Sequence, residues 1–138
     1  MTTPQESTKL LVLVDDDSVE ERILRAYLDE AGVSVDLLVF QSGACFLDYM
    51  DDVKVGDVRA PHVVLLDVRM PEMNGFQVLA RLHEDSEPAA TPRIIMFSNS
   101  KDERDAASAQ EFGAAYQIKP AGGDEYIAFL KSLDLRAA

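Results

Sequence analysis

Five side chains in this 138-residue chain fall at the ends of short apolar runs. Asp15 and Asp16 follow Leu10-Leu-Val-Leu-Val14, Asp67 follows Val63-Val-Leu-Leu66, Ser98 follows Ile94-Ile-Met-Phe97, and Lys119 follows Ile118. Taken singly, each has a plain reading: an aspartate caps a loop or helix, a serine turns a corner, a lysine before proline sits on the surface. The pair at 15 and 16 resists that reading. Two adjacent carboxylates repel by roughly 4 kcal/mol at 4 Å and an effective dielectric near 20. Such a cluster is kept when a cation offsets it, and hard cations prefer oxygen ligands. Asp67 ends an unbroken apolar run, and Pro71 forbids that run from continuing as a central strand.

The elements that must position these groups are legible in order. The strand 9–14, apolar from Leu10 onward, and residues 63–66 have no polar break, the pattern of strands buried on both faces. Ser18 with Glu21 reads as a capping box, opening a helix spaced through Val19, Ile23, Ala26, Tyr27 and Ala31 and stopped at Gly32. If Ser18 supplies the cap alone, Asp15 and Asp16 have no structural task. Residues 33–40 form the next strand, on the alternation of Val35, Leu37 and Val39. A short helix over 42–50 turns Phe46, Leu47 and Met50 inward and carries Cys45 as a small buried apolar group. Residues 51–61 read as an acidic linker within the domain. After Asp67, Met70-Pro-Glu-Met-Asn-Gly75 is a turn in which Gly75 gives an unusual backbone angle or a close approach. Phe76, Leu79 and Leu82 mark a helix, and 85–92 a loop. A strand over 93–98 leads to a second capping box, Ser100 with Glu103, and a helix reaching Phe112. The strand 114–118 and a helix with Tyr126, Ile127, Leu130 and Leu133 close the chain.

The order is strand then helix, five times. That is an α/β protein of (βα)5 type: a doubly wound, five-stranded parallel sheet with helices on both faces. Every strand of such a sheet points its carboxyl end at one rim, where open α/β sheets bind ligands. All five chemical side chains fall there.

Composition narrows the class further. The length suits one domain, read as a flexible tail over 1–8 and the domain over 9–138. Thirteen basic against 25 acidic residues give a net charge of −12, which speaks against direct contact with nucleic acid. No apolar run approaches a membrane span and no signal peptide opens the chain, so no membrane partner is expected. One cysteine forms no internal disulfide and suits a reducing, cytoplasmic setting. His62 and His83 have no partner at ligand spacing.

Together the motifs Val-Asp15-Asp16, Leu-Leu-Asp67-Val-Arg-Met-Pro with Gly75, Phe-Ser98 and Ile-Lys119-Pro120 resemble the receiver domain of two-component response regulators, over about residues 9 to 133. The resemblance implies the flavodoxin-like receiver fold and a phosphoprotein of signal transduction rather than a true enzyme. It makes Asp67 the phospho-acceptor, loaded by a histidine kinase or a histidine phosphotransfer protein. It assigns Mg²⁺ to Asp15, Asp16, Asp67 and the backbone carbonyl of Arg69. Ser98 takes the place of the switch hydroxyl, Lys119 that of the lysine pairing with the phosphoryl, and Tyr116 that of the aromatic switch. Arg69 and Ser100 flank the approach of water and so tune phosphoryl lifetime, with Arg69 lying over the phosphoryl or pairing with Glu72. The Lys119–Pro120 bond is expected to be cis. Ala121, followed by Gly122 and Gly123, departs from the larger apolar residue the family usually has after the proline. The output is a conformational switch toward a downstream target protein, or onward transfer in a phosphorelay. A homodimer through the fourth helix, fifth strand and fifth helix is the assembly the resemblance suggests.

The charges agree with that chemistry. Asp15, Asp16 and Asp67 against Lys119 leave two negative charges, which a divalent cation cancels before an anionic donor arrives. Haloacid-dehalogenase-type phosphatases share the strand-end aspartate, but they need a second aspartate two residues later, where this chain has Arg69. A flavodoxin-like cofactor module needs phosphate-cradling hydroxyls after the first strand, where this chain has three acids. A pseudo-receiver would lack one or more of the site residues. No DNA-binding, RNA-binding or catalytic segment follows Leu135, so the chain reads as a stand-alone receiver or one cut from a longer protein.

Overall fold

In the computed structural model, which describes residues 8–85 and 92–135, five strands and five helices alternate along the chain. The strands are β1 (Leu10–Val14), β2 (Asp36–Phe40), β3 (Val63–Leu66), β4 (Arg93–Ser98) and β5 (Ala115–Ile118). The helices are α1 (Ser18–Glu30), α2 (Gly43–Lys54), α3 (Gly75–Asp85), α4 (Glu103–Glu111) and α5 (Gly123–Ser132). The sheet is parallel throughout, in the order β2-β1-β3-β4-β5. The expected tail falls almost wholly outside the described residues, as does most of the loop expected over 85–92.

The central strands are buried along their whole length, as their unbroken apolar runs require. Alternate side chains feed two cores. Val12, Val14, Val64, Leu66 and Met96 pack with Phe46, Met50, Leu79 and Leu82 under α2 and α3, where Ala109 of α4 joins them. Leu11, Leu13, Leu65 and Phe97 pack with Leu24, Leu28, Tyr126 and Leu130 under α1 and α5.

Several local expectations need correction. α1 buries Glu20, Leu24 and Leu28, whereas Val19 and Ile23 stay 45% and 37% exposed. The helix is therefore rotated from the face read off the spacing. Its cap is Asp17, whose carboxylate accepts the Val19 N–H at 2.9 Å, and not Ser18. Likewise α4 is capped by Asp102 on the Arg104 N–H, and not by Ser100. A reciprocal box does occur at α3: the Asn74 side chain accepts the Gln77 N–H and the Gln77 side chain accepts the Asn74 N–H. α2 extends to Lys54, so the expected linker begins as helix. Its remainder is tied down by Arg59, which pairs with Asp36 and donates to the Thr8 carbonyl at 2.7 Å. Cys45 is exposed on α2, not buried. Among the described residues every peptide bond is trans, Lys119–Pro120 included.

Candidate functional site

Hydrogen bonds just past the strand ends place the functional groups. The Asp15 N–H donates to the Phe40 carbonyl at 3.0 Å, the Asp67 N–H to Val14 at 2.9 Å, and the Lys119 N–H to Ser98 at 2.8 Å. Each continues the ladder by one step, so the last residue of each strand hands its successor to the rim. One cleft is lined by Asp15, Asp16, Asp67, Arg69, Ser98, Ser100 and Lys119, together with Asp17 and Asn99. Every site residue read from the sequence is there except Tyr116, which reaches it through its hydroxyl bond to the Ser100 carbonyl at 2.7 Å.

The floor of the loop after β3 explains Gly75. The Gly75 N–H donates to the Val68 carbonyl at 3.0 Å. A Cβ added at Gly75 would lie 2.4 Å from the Asp67 carbonyl oxygen and 2.7 Å from Met96 Cε. Close approach, not backbone angle, demands the glycine. The unusual angle belongs to Glu72 instead, with φ of 69° in a turn where the Met73 N–H donates to the Pro71 carbonyl.

Carboxylate oxygens of Asp15, Asp16 and Asp67 lie within 4.8 Å of one another. Asp15 and Asp67 are buried, and Asp16 is open to solvent. Burial first, and the Asp15 charge second, push the Asp67 pKa up to about 6, against the pull of Lys119 and of the backbone N–H groups of Arg69 and Val68. Such crowding of anionic oxygens at one point fits a hard divalent cation, which would remove the repulsion that raises this pKa.

The Lys119 side chain is 9% exposed and forms ion pairs with Asp15 Oδ2 at 2.8 Å and Glu20 Oε1 at 3.3 Å. Burial works against its charge, but the hydrogen bond to Asp15 and the charges of Asp67, Asp15 and Glu20 outweigh it and raise its pKa. Glu20 carries no sequence signal of its own, because an acid in the first turn of a helix is already explained by the helix dipole. It is buried, and its second oxygen accepts the Tyr126 hydroxyl at 2.8 Å.

On the opposite side, Ser98 is 1% exposed and its Oγ accepts the Ser100 N–H at 3.1 Å. Arg69 pairs with Asp105 and not with Glu72. Its guanidinium reaches Asp105 of α4 at 3.0 Å, and the Ser100 hydroxyl donates to the same carboxylate oxygen at 2.7 Å. Asp105, a buried acid in the first turn of α4, carried no sequence signal beyond helix capping. His62 takes no part: its Nδ1 accepts the Leu10 N–H at 3.0 Å at the start of β1.

Residues 11–131 match the family described as the response regulator receiver domain. Protein PilH of Pseudomonas aeruginosa is 31% identical over 110 residues, covering 80% of this chain and 84% of PilH. The transcriptional regulatory protein GltR of the same organism is 32% identical over 128 residues, covering 92% of this chain but 49% of GltR. The response regulator RPA3017, from red light signaling of R. palustris, superimposes with a TM-score of 0.79 at 29% identity, covering 91% of this chain and 90% of that one. The Mn(2+)-bound form of response regulator Rcp1 gives a TM-score of 0.74 at 19% identity, covering 91% of both chains, which speaks to the fold alone. With its parallel five-stranded sheet and this match over most of its length, the chain belongs to the response regulator receiver domains of two-component signalling.

Proposed function

We propose that this receiver takes a phosphoryl group onto Asp67 in a Mg²⁺-dependent reaction. The observation that carries the reading is the pairing, in one cleft, of three clustered carboxylates with a buried lysine. Asp67 is the nucleophile: one carboxylate oxygen bonds to phosphorus as the phosphorus–nitrogen bond of a phosphohistidine breaks, and the leaving imidazole takes a proton from solvent. Receiver domains accept phosphate from histidine kinases, so the donor is a kinase or a histidine phosphotransfer protein. Asp15, Asp16, Asp67 and the Arg69 carbonyl would hold the Mg²⁺, which when bound neutralises the anionic oxygens that meet during transfer. Lys119 lies beside Asp15 with its ammonium close enough to be drawn to the phosphoryl oxygens, and Ser98 offers them a hydroxyl. Arg69 and Ser100 line the cleft; while Asp105 holds it, Arg69 leaves phosphoryl lifetime nearly unchanged, and its release would lengthen it. Ser98 and Tyr116 form the switch, whose output is a target protein or onward transfer. No described helix is long and apolar enough to cross a membrane, and a cytoplasmic setting accords with the free thiol of Cys45. A homodimer through α4, β5 and α5 is compatible with Ile118, which is 39% exposed on β5.

The test is loading from acetyl phosphate, in which acetate leaves as the phosphorus–oxygen bond breaks. With Mg²⁺ the intact protein should gain one base-labile phosphoryl group by mass. Without Mg²⁺, or in Asp67→Asn, it should gain none; a persisting signal in that variant would place the acceptor elsewhere.

A further inference from the structure

Lys119 does not face the acceptor carboxylate alone. Its ammonium is shared between Asp15 at 2.8 Å and Glu20 at 3.3 Å, and the other Glu20 oxygen accepts the Tyr126 hydroxyl at 2.8 Å. The Glu20 side chain is 10% exposed and Tyr126 is 2% exposed. Tyr126 is itself fixed by stacking on Tyr27 at 4.8 Å and by the edge of its contact with Phe97 at 5.8 Å. Glu20 therefore sits beneath the site as a fourth carboxylate, held from one side by a cation and from the other by a neutral donor. With Asp15, Asp16 and Asp67 ionised, the metal-free cluster carries three negative charges, one more than the motifs alone suggest.

We infer that Glu20 is a positioning residue that competes with the phosphoryl group for Lys119, and that Tyr126 sets how strongly it competes. The inference rests on the reading of Asp67 as acceptor. When a phosphoryl group on Asp67 draws the Lys119 ammonium toward itself, Glu20 loses its cation while still buried. An uncompensated buried charge is costly, so this loss opposes the phosphorylated state. The Tyr126 hydroxyl limits the cost, because it keeps one hydrogen bond to Glu20 after the lysine has moved. Replacing the carboxylate with an amide removes the competition. Removing the tyrosine hydroxyl sharpens it, because Glu20 then has no partner once Lys119 leaves. The two substitutions touch neighbouring atoms of one network, yet they should act in opposite directions. A merely structural role for the network would move both the same way.

The probe is beryllofluoride, a stable mimic of the phosphoryl group, titrated at saturating Mg²⁺ and followed by amide shifts around Asp67. Urea denaturation checks folding of each variant. Glu20→Gln should bind beryllofluoride at least about threefold more tightly than wild type, and Tyr126→Phe at least about threefold more weakly, since one charge-assisted hydrogen bond is gained or lost. Weakening by both, or no change in either, would overturn the inference. If Glu20→Gln does not fold, Tyr126→Phe decides alone, with unchanged affinity counting against it. If wild-type protein binds no beryllofluoride, the acceptor reading itself fails and this inference goes with it. Binding by wild type without the opposed responses removes only the inference.

Discussion

Arg69 and Asp105 join the loop after β3 to the first turn of α4, through an ion pair of 3.0 Å. The Asp105 side chain is 12% exposed and the Arg69 side chain 66%, so the pair is anchored at its acidic end and open at its basic end. The Ser100 hydroxyl fixes the same carboxylate oxygen. The arginine is thereby held toward α4 by a contact it must give up before it can lie over a phosphoryl group on Asp67. Arg69→Ala should accordingly leave the acyl-phosphate lifetime within about twofold, while costing about 1 kcal/mol of stability through the stranded acid. Asp105→Asn releases the guanidinium and should lengthen the lifetime several-fold, about 1 kcal/mol of barrier. Decay followed after removal of the donor, with urea denaturation alongside, separates the two. A several-fold shortening in Arg69→Ala would show that the arginine swings onto the phosphoryl after all.

The raised pKa of Asp67 makes metal-free stability depend on pH. Its folded value of about 6 lies above the ordinary 3.8, so the contribution is complete below 3.8 and is lost as pH rises through 6. By pH 7 the loss amounts to about 2–3 kcal/mol, for a residue that is 7% exposed. In chelator, Asp67→Asn should therefore be more stable than wild type at pH 7, and the difference should vanish by pH 4. Millimolar Mg²⁺ should recover stability in wild type and much less in the variant, because binding to the native state adds to its stability. Urea midpoints measured from pH 4 to pH 8 give both curves. Parallel curves for the two proteins would mean that the carboxylate is not crowded.

Asp16 and Asp17 are adjacent in sequence but differ in task. Asp16 belongs to the acidic cluster, and Asp17 caps α1 through the Val19 N–H. Asp17→Ala should cost about 1 kcal/mol of stability and leave Mg²⁺ binding near normal. Asp16→Ala should abolish Mg²⁺ binding and phosphorylation at little cost in stability. Calorimetric titration with Mg²⁺ and thermal denaturation of both variants distinguish the roles, and equal loss of binding in the two would indicate a diffuse acidic patch.

That neighbouring residues share out such tasks explains what could be read in advance. The strands were legible because Val63 to Leu66 and Leu10 to Val14 are buried on both faces, which leaves no alternative pattern. The rim residues followed from the strands, since a parallel sheet brings all its carboxyl ends together. Cap positions did not follow. Asp15, Asp16, Asp17 and Ser18 can each cap, as can Ser100 and Asp102, and the choice is made by what the loop needs elsewhere. Ser100 is occupied: its hydroxyl accepts the Asp102 N–H and donates to Asp105. Asp15 is occupied by Lys119 and by the Asp17 N–H. Glu20 and Asp105 escaped notice for a related reason. An acid in the first turn of a helix has a sufficient explanation in the helix dipole, and only tertiary packing shows it buried against a cation.

The switch is the last consequence, and Ser100 is its centre. Its N–H donates to Ser98 Oγ at 3.1 Å, its carbonyl accepts the Tyr116 hydroxyl at 2.7 Å, and its own hydroxyl holds Asp105. If Ser98 turns its hydroxyl toward a phosphoryl group on Asp67, the Ser100 N–H loses its acceptor. The peptide unit that Tyr116 grips then shifts, and with it the loop leading into α4. Beryllofluoride with Mg²⁺ should therefore move amide resonances over residues 98–112 and at Tyr116, not only those beside Asp67. Ser98→Ala removes both the acceptor for Ser100 and the donor for the phosphoryl. In that variant the shifts around Asp67 should persist, while those at Tyr116 and through α4 should shrink by more than half. Tyr116→Phe should keep the shifts at Ser98 and Ser100 but stop them there, since the grip on the Ser100 carbonyl is gone. Shifts confined to the neighbours of Asp67 in the wild-type protein would mean that phosphorylation is not transmitted along this route.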